Sequence, residues 1–145
     1  MRIRLTLLFC AILAAVLFSG TEPAESQASR KEIEKIFEKI AKHFAANDAD
    51  KIAKRLPTEG KVKLALRGIT GSKAYRKQQA HALLKKHFDA IESKQFKRIS
   101  GPHHLTTQYR HTYRIRSEDE TVKAYVVITL GRENNQWVII EILED

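Results

Sequence analysis

The chain has 145 residues, 43% of them hydrophobic and 30% charged, which is one domain with enough apolar side chain to bury a single core. That balance excludes a disordered tail, a collagen-like fibre and a multidomain machine. Lys and Arg number 26 against 17 Asp and Glu, a formal charge of +9, so an anionic partner is the first functional class to consider.

Arg2 and Arg4 precede an uncharged apolar run from Leu5 to Phe18, and Ser19, Gly20, Glu22, Pro23 and Glu25 follow it. The run is shorter than the roughly 20 residues a membrane span needs. A basic start, a short apolar stretch and small residues beyond it read instead as an export signal. Ser26-Gln27-Ala28 places the cut before Ser29, with a cut near Ser19 or Gly20 as the alternative. Residues 1–28 are thus the signal and cleavage region, and 29–145 the mature domain, periplasmic or extracellular and without a stable membrane span. Losing Arg2, Arg4, Glu22 and Glu25 leaves 24 basic and 15 acidic residues, so the charge stays at +9. Cys10 is the only cysteine; Leu8 and Phe9 before it are too large for a lipidation site. The mature chain therefore has no disulfide, zinc-thiolate site or thiol nucleophile, and its roughly 117 residues depend on a hydrophobic core.

From Arg30 to Ala46 the residues Ile33, Ile36, Phe37, Ile40, Ala41 and Phe44 recur at helical spacing with Lys and Glu on the other face, predicting an amphipathic helix. Asn47-Asp48-Ala49-Asp50 offers an N-cap for a short second helix through Ile52, Ala53 and Leu56, which Pro57 stops. Lys61 to Arg67 alternates as a half-buried strand. Gly68 and Gly71 bracket a loop, Ser72 can cap, and Ala74 to Ile91 returns to helical period through Ala80, Leu83, Leu84, His87, Phe88 and Ile91. Four β-rich runs follow: 95–100, 105–117, 121–131 and 136–143. Ser117-Glu118-Asp119-Glu120 and Arg132-Glu133-Asn134-Asn135 connect them as hairpin turns, the Asn pair tolerating positive φ. The whole is an α+β fold: three N-terminal helices with one strand between, packed in a strongly curved, mostly antiparallel sheet.

The segment Tyr75-Arg76-Lys77-Gln78-Gln79-Ala80, then Leu83-Leu84, Phe88, Phe96 and the closing Trp137-Val138-Ile139-Ile140-Glu141-Ile142 resemble a family of small exported bacterial proteins of unknown function. That family has the nuclear transport factor 2-like, or cystatin-like, α+β cone. The resemblance spans about Glu32 to Glu144. It implies the cone and no catalytic residues. His87 before Phe88, and the Gly101-Pro102-His103-His104 turn, depart from the pattern.

In the longest strand Leu105, Thr107, Tyr109, His111, Tyr113 and Ile115 share the face expected to meet the helices. Thr107, Tyr109, His111 and Tyr113 then either form the polar wall of a pocket for a small apolar ligand or fill the core with locally bonded hydroxyls and a satisfied histidine. An isomerase- or dehydratase-like enzyme is the alternative, and it needs a carboxylate or tyrosine to orient His111. None stands on the facing positions of the next strand, while Asp48 or Asp50 would approach from the helical side. No catalytic residue is assigned.

His81 and His87 stand six apart on one helix, and His103 and His104 are adjacent and diverge, so histidine spacing assigns no metal. No phosphate-cradling loop, serine-hydrolase elbow or zinc-protease signature occurs, and no cofactor is expected. Arg110, Arg114 and Arg116 line the opposite strand face, Lys123 follows beside them, and Arg76, Lys77, Lys85, Lys86, Lys94, Lys97 and Arg98 crowd the third helix and its exit. On an exported domain this basic face points to an anionic envelope or extracellular partner rather than nucleic acid, or to solubility alone. Tyr125 and Val127, with Trp137 and Ile139, make the outer sheet face apolar, which predicts a homodimer through that face. The sequence therefore describes a non-catalytic exported binding domain.

Overall fold

The structure, a computed structural model, describes residues 24–145. The expected export signal lies outside them, apart from the start of the first helix. Helix α1 spans Ala24–Ala45 and buries Ile33, Ile36, Phe37, Ile40 and Phe44 along one stripe. Asn47 ends it in the left-handed region at φ 52°, a conformation Asn tolerates. Its side-chain amide donates to the Ile91 carbonyl at 3.2 Å. Helix α2, Ala49–Ala53, is capped by Asp48, whose carboxylate accepts from the Lys51 N–H at 3.0 Å. Among the described residues no helix is long and apolar enough to cross a membrane.

Strand β1, Val62–Leu66, alternates as expected, burying Val62, Leu64 and Leu66. The next segment departs from expectation. Thr70–Tyr75, expected as the end of a loop, a cap at Ser72 and a helix from Ala74, is strand β2, antiparallel to β1 with Val62 opposite Tyr75. The chain therefore has two helices, then a hairpin, then the third helix. β2 is an edge strand whose four central residues are exposed, so it carries no apolar alternation to read; backbone pairing with β1 makes it a strand. Helix α3 is Lys77–Ala90, and Arg76 rather than Ser72 is its N-cap, its backbone N–H donating to the Gln79 side chain at 3.3 Å.

α3 runs without a loop into β3, Ile91–His103, followed by β4, Thr106–Ile115, β5, Glu120–Glu133, and β6, Gln136–Glu144. The Asn134-Asn135 turn has φ of 49° and 61°, the positive values a tight hairpin requires. The curved sheet runs β2-β1-β6-β5-β4-β3, antiparallel except where β6 lies parallel to β1. The helices cover its inner face: α1 packs on β3, and α3 on β1 and β3. Gly101, at the β3–β4 corner, has φ 96°, and a Cβ there would stand 2.8 Å from the Thr106 carbonyl oxygen, so only glycine fits without a backbone shift.

Candidate functional site

The inward face of β4 holds Thr107, Tyr109, His111 and Tyr113, each no more than 1% exposed. The expected direction of that face is therefore correct. The hollow it lines is filled at the Tyr109 end. The Tyr109 ring stacks on Phe96 at 4.6 Å, Phe96 on Phe44 at 4.8 Å, and Phe44 meets Phe88 edge-on at 5.4 Å. The Tyr109 hydroxyl donates to the Phe37 carbonyl at 3.4 Å. Burial pushes its pKa up to about 12, so it stays a neutral donor.

Two residues further along β4 the contents of the hollow change. His111 Nε2 lies 2.9 Å from Ser93 Oγ, while its Nδ1 is buried with no hydrogen-bond partner among the described residues. Burial brings the pKa of this imidazole down to about 4, against the opposing pull of Glu144 and with that of His87. It is neutral at physiological pH. The Tyr113 hydroxyl donates to Glu144 Oε1 at 2.6 Å, and burial, then that hydrogen bond, raise its pKa. Glu144 Oε2 faces His87 Nε2 at 3.0 Å. The two atoms are not aligned as a hydrogen bond, and His87 Nε2 has no such partner. Ligand atoms of His87, His111 and Glu144, all buried, lie within 4.8 Å of one another. A cavity of about 390 Å³ between the β1–β2 turn and the β4–β5 turn reaches His87 and Tyr113.

This carboxylate is not the one expected. Asp48 is spent on capping α2, and Asp50 pairs with His81 at the surface, 2.7 Å away. Glu144 comes from the end of β6, two residues beyond the buried Ile142, and that parity is the signal in the sequence that points it inward. His87 shares the helical stripe of Leu84 and Phe88, which places it in the core. Histidine spacing within single elements could not show the grouping, because its members come from α3, β4 and β6.

The second polar feature is a surface groove of about 600 Å³ between α1, α2 and β6, lined among others by Lys35, Lys39, His43, Lys51, Lys54 and Arg55. Of these cations only Lys51 is in an ion pair among the described residues, with Asp48 at 3.4 Å. Glu133, on the groove wall, accepts from the backbone N–H groups of Thr58 at 2.6 Å and Gly60 at 2.9 Å, which hold its carboxyl below the usual range. Partial burial, then Lys51, with further contributions from Arg55 and Lys39 against the opposing Asp48, lower the pKa of His43. Trp137 lines the same groove, and its indole N–H is buried without a partner among the described residues.

Residues 37–143 match the family described as Domain of unknown function (DUF4783). The chain belongs to this family. A DUF4783 protein of Bacteroides ovatus is similar over 73% of this chain and 90% of its own, at 20% identity and a TM-score of 0.57. One of Bacteroides fragilis is similar over 73% and 93%, at 17% identity and 0.57. An NTF2-like protein of unknown function from Pseudomonas putida covers 82% and 87%, at 14% identity and 0.52. At these identities the likeness shows the fold, and it is the NTF2-like α+β fold that the order of elements implied. No curated protein matches the chain.

The outer sheet face of this DUF4783 protein carries the remaining expected residues. Arg114 is bound by Glu92 at 3.2 Å and Asp119 at 2.7 Å, and Arg116 Nε donates to the Ile91 carbonyl at 3.1 Å. Arg110 lies 5.7 Å from the centre of the Tyr125 ring, and Lys123 is exposed. This basic face is thus partly neutralised by its own chain. Among the outer apolar residues, Tyr125 is 42% exposed, but Ile139 is fully buried, contrary to expectation. The cause is a bulge: Thr129 pairs with Glu141 and Leu130 with Ile139, leaving Ile140 as the extra residue. The bulge turns Val138 and Ile139 inward and Ile140 outward over Gly131, where a Cβ would lie 2.7 Å from Ile140 Cγ2. Trp137 is half-buried against the core under the Arg132 guanidinium, 4.4 Å from its ring centre, and Val127 is half-buried too.

Proposed function

We propose that this DUF4783 protein is an exported binding domain that holds an anionic, carboxylate- or phosphate-bearing partner in the groove between α1, α2 and β6. The observation that carries this reading is the set Lys35, Lys39, Lys54 and Arg55 on one concave surface, joined by Lys51. A chain usually settles such a cluster with its own carboxylates, as it does for Arg114. Here two carboxylates line the groove beside five Lys and Arg side chains: Glu133, which is occupied by backbone N–H groups, and Glu32, which is in no ion pair among the described residues. The net positive field attracts anions, and its effect falls with salt. The filled aromatic end of the hollow leaves no comparable support for a small apolar ligand beside Tyr109.

The test is retention on immobilised heparin at graded salt, with the triple variant Lys39→Gln, Lys54→Gln, Arg55→Gln set against Arg110→Gln, Lys123→Gln. The first set is expected to elute at much lower salt and the second close to wild type. In parallel, adding the polyanion should raise the His43 pKa, followed by its imidazole proton shift, because a nearby anion favours the charged ring. Equal loss of retention in both sets, with an unmoved His43, would overturn the groove.

A further inference from the structure

We propose that His87, His111 and Glu144 form a site for one divalent transition-metal ion of the zinc type. The inference does not depend on the groove.

His87 Nε2 and His111 Nδ1 are both buried, and neither has a hydrogen-bond partner among the described residues. Buried ring nitrogens without a hydrogen bond are costly, and a fold rarely carries two without a use for them. Glu144 Oε2 lies 3.0 Å from His87 Nε2 without hydrogen-bond alignment. An ion bound at about 2.0–2.2 Å by each of three tetrahedrally disposed ligands separates those ligands by roughly 3–3.5 Å. The His87–Glu144 spacing already has that value. With all three ligand atoms inside 4.8 Å, small side-chain adjustments complete the set.

The outer partners match what metal ligands need. Ser93 Oγ sits 2.9 Å from His111 Nε2; an Nε2–H that donates to Ser93 leaves the lone pair on Nδ1. Tyr113 donates to Glu144 Oε1 at 2.6 Å and leaves Oε2 for the ion. Such outer contacts hold a ligand in one orientation and tautomer. Two imidazoles and one carboxylate suit zinc and its neighbours, whereas calcium and magnesium prefer all-oxygen sets. Three protein ligands leave a fourth position for water or a bound molecule. The cavity of about 390 Å³ that reaches His87 and Tyr113 gives the ion and that molecule a way in.

The competing account is a plain His87–Glu144 ion pair with no metal. The two are separated by titrating chelator-stripped, dialysed protein with Zn²⁺ and with Co²⁺, the latter followed by its visible absorption. Expected are one equivalent of either ion, Co²⁺ bands of a four- or five-coordinate nitrogen–oxygen site, and a higher thermal midpoint with Zn²⁺. Glu144→Gln should lower the affinity at least about tenfold. Ser93→Ala, which removes only an outer contact and spares the core if Glu144→Gln fails to fold, should lower it by about tenfold. His103→Gln with His104→Gln should leave binding unchanged. Absence of a bound equivalent in wild type, or binding lost in the His103–His104 variant and kept in Ser93→Ala, would overturn the proposal.

Discussion

Tyr109 and Tyr113 stand four residues apart on one face of one strand, equally buried, yet the two ends of the hollow they occupy are stabilised differently. At the Tyr109 end the ring is one of a stack with Phe96 and Phe44, and its hydroxyl makes a long contact to a backbone carbonyl. At the Tyr113 end the ring carries a short, charge-assisted bond to a buried carboxylate that lies near two buried histidines. The first end is held by area and shape, where polar atoms are incidental. The second is held by polar pairing, where each lone pair and proton needs a partner. The same inward alternation on β4 thus gives a packed core in one place and a reactive-looking cluster in another, and what differs is the opposing elements: α1 and β3 supply rings, while α3 and β6 supply His87 and Glu144.

The contrast can be broken most strongly at the aromatic end. Phe44→Ala removes a ring that touches Phe88, Phe96 and His111, and denaturant unfolding should show a loss of about 3–5 kcal/mol, because the rigid stack cannot close over the gap. A loss below about 1 kcal/mol would mean that area does not hold this end. The matched pair of hydroxyl deletions is the sharper measurement. Tyr113→Phe leaves a buried Glu144 oxygen without its donor and should cost about 1–3 kcal/mol, whereas Tyr109→Phe should cost less than about 1 kcal/mol. Equal costs for the two would erase the distinction.

The smallest effect concerns the other anchored carboxylate. Glu133 has an ordinary value of 4.5 in the unfolded chain and a lower one in the fold, where backbone N–H groups bind its charged form. As pH falls the unfolded chain takes up this proton first, so the contribution is complete above about pH 4.5 and is lost as acid protonates the folded carboxylate. Stability measured between pH 5 and 3 should fall less steeply in Glu133→Gln than in wild type; parallel curves would show that the contacts do not matter.

Much of this molecule is legible in one dimension. Periodicity places α1, β1 and the four long strands, because each buries one face and leaves the other wet. The inward set Thr107, Tyr109, His111 and Tyr113 follows from the same rule. β2 is not legible, since an edge strand with a solvated centre has no apolar period. Nor is the Thr129–Ile139 bulge, which shifts a strand by one residue and reverses the faces of Ile139 and Ile140. The groove cations read as ordinary solvated residues along α1 and α2, because only the packing of those helices beside β6 makes them one surface.

Composition, charge and alternation therefore determined by themselves that this is a basic α+β domain with a polar inward face on its longest strand. Tertiary structure alone decided whether that face would be a pocket or a core, and which carboxylate it would meet. The physical reason is that burial is a property of position along one element, whereas pairing is a property of two. His87, His111 and Glu144 are 24 and 33 residues apart in sequence, measured from one to the next, and they become neighbours only when β6 lies beside β1 and α3 closes over the sheet.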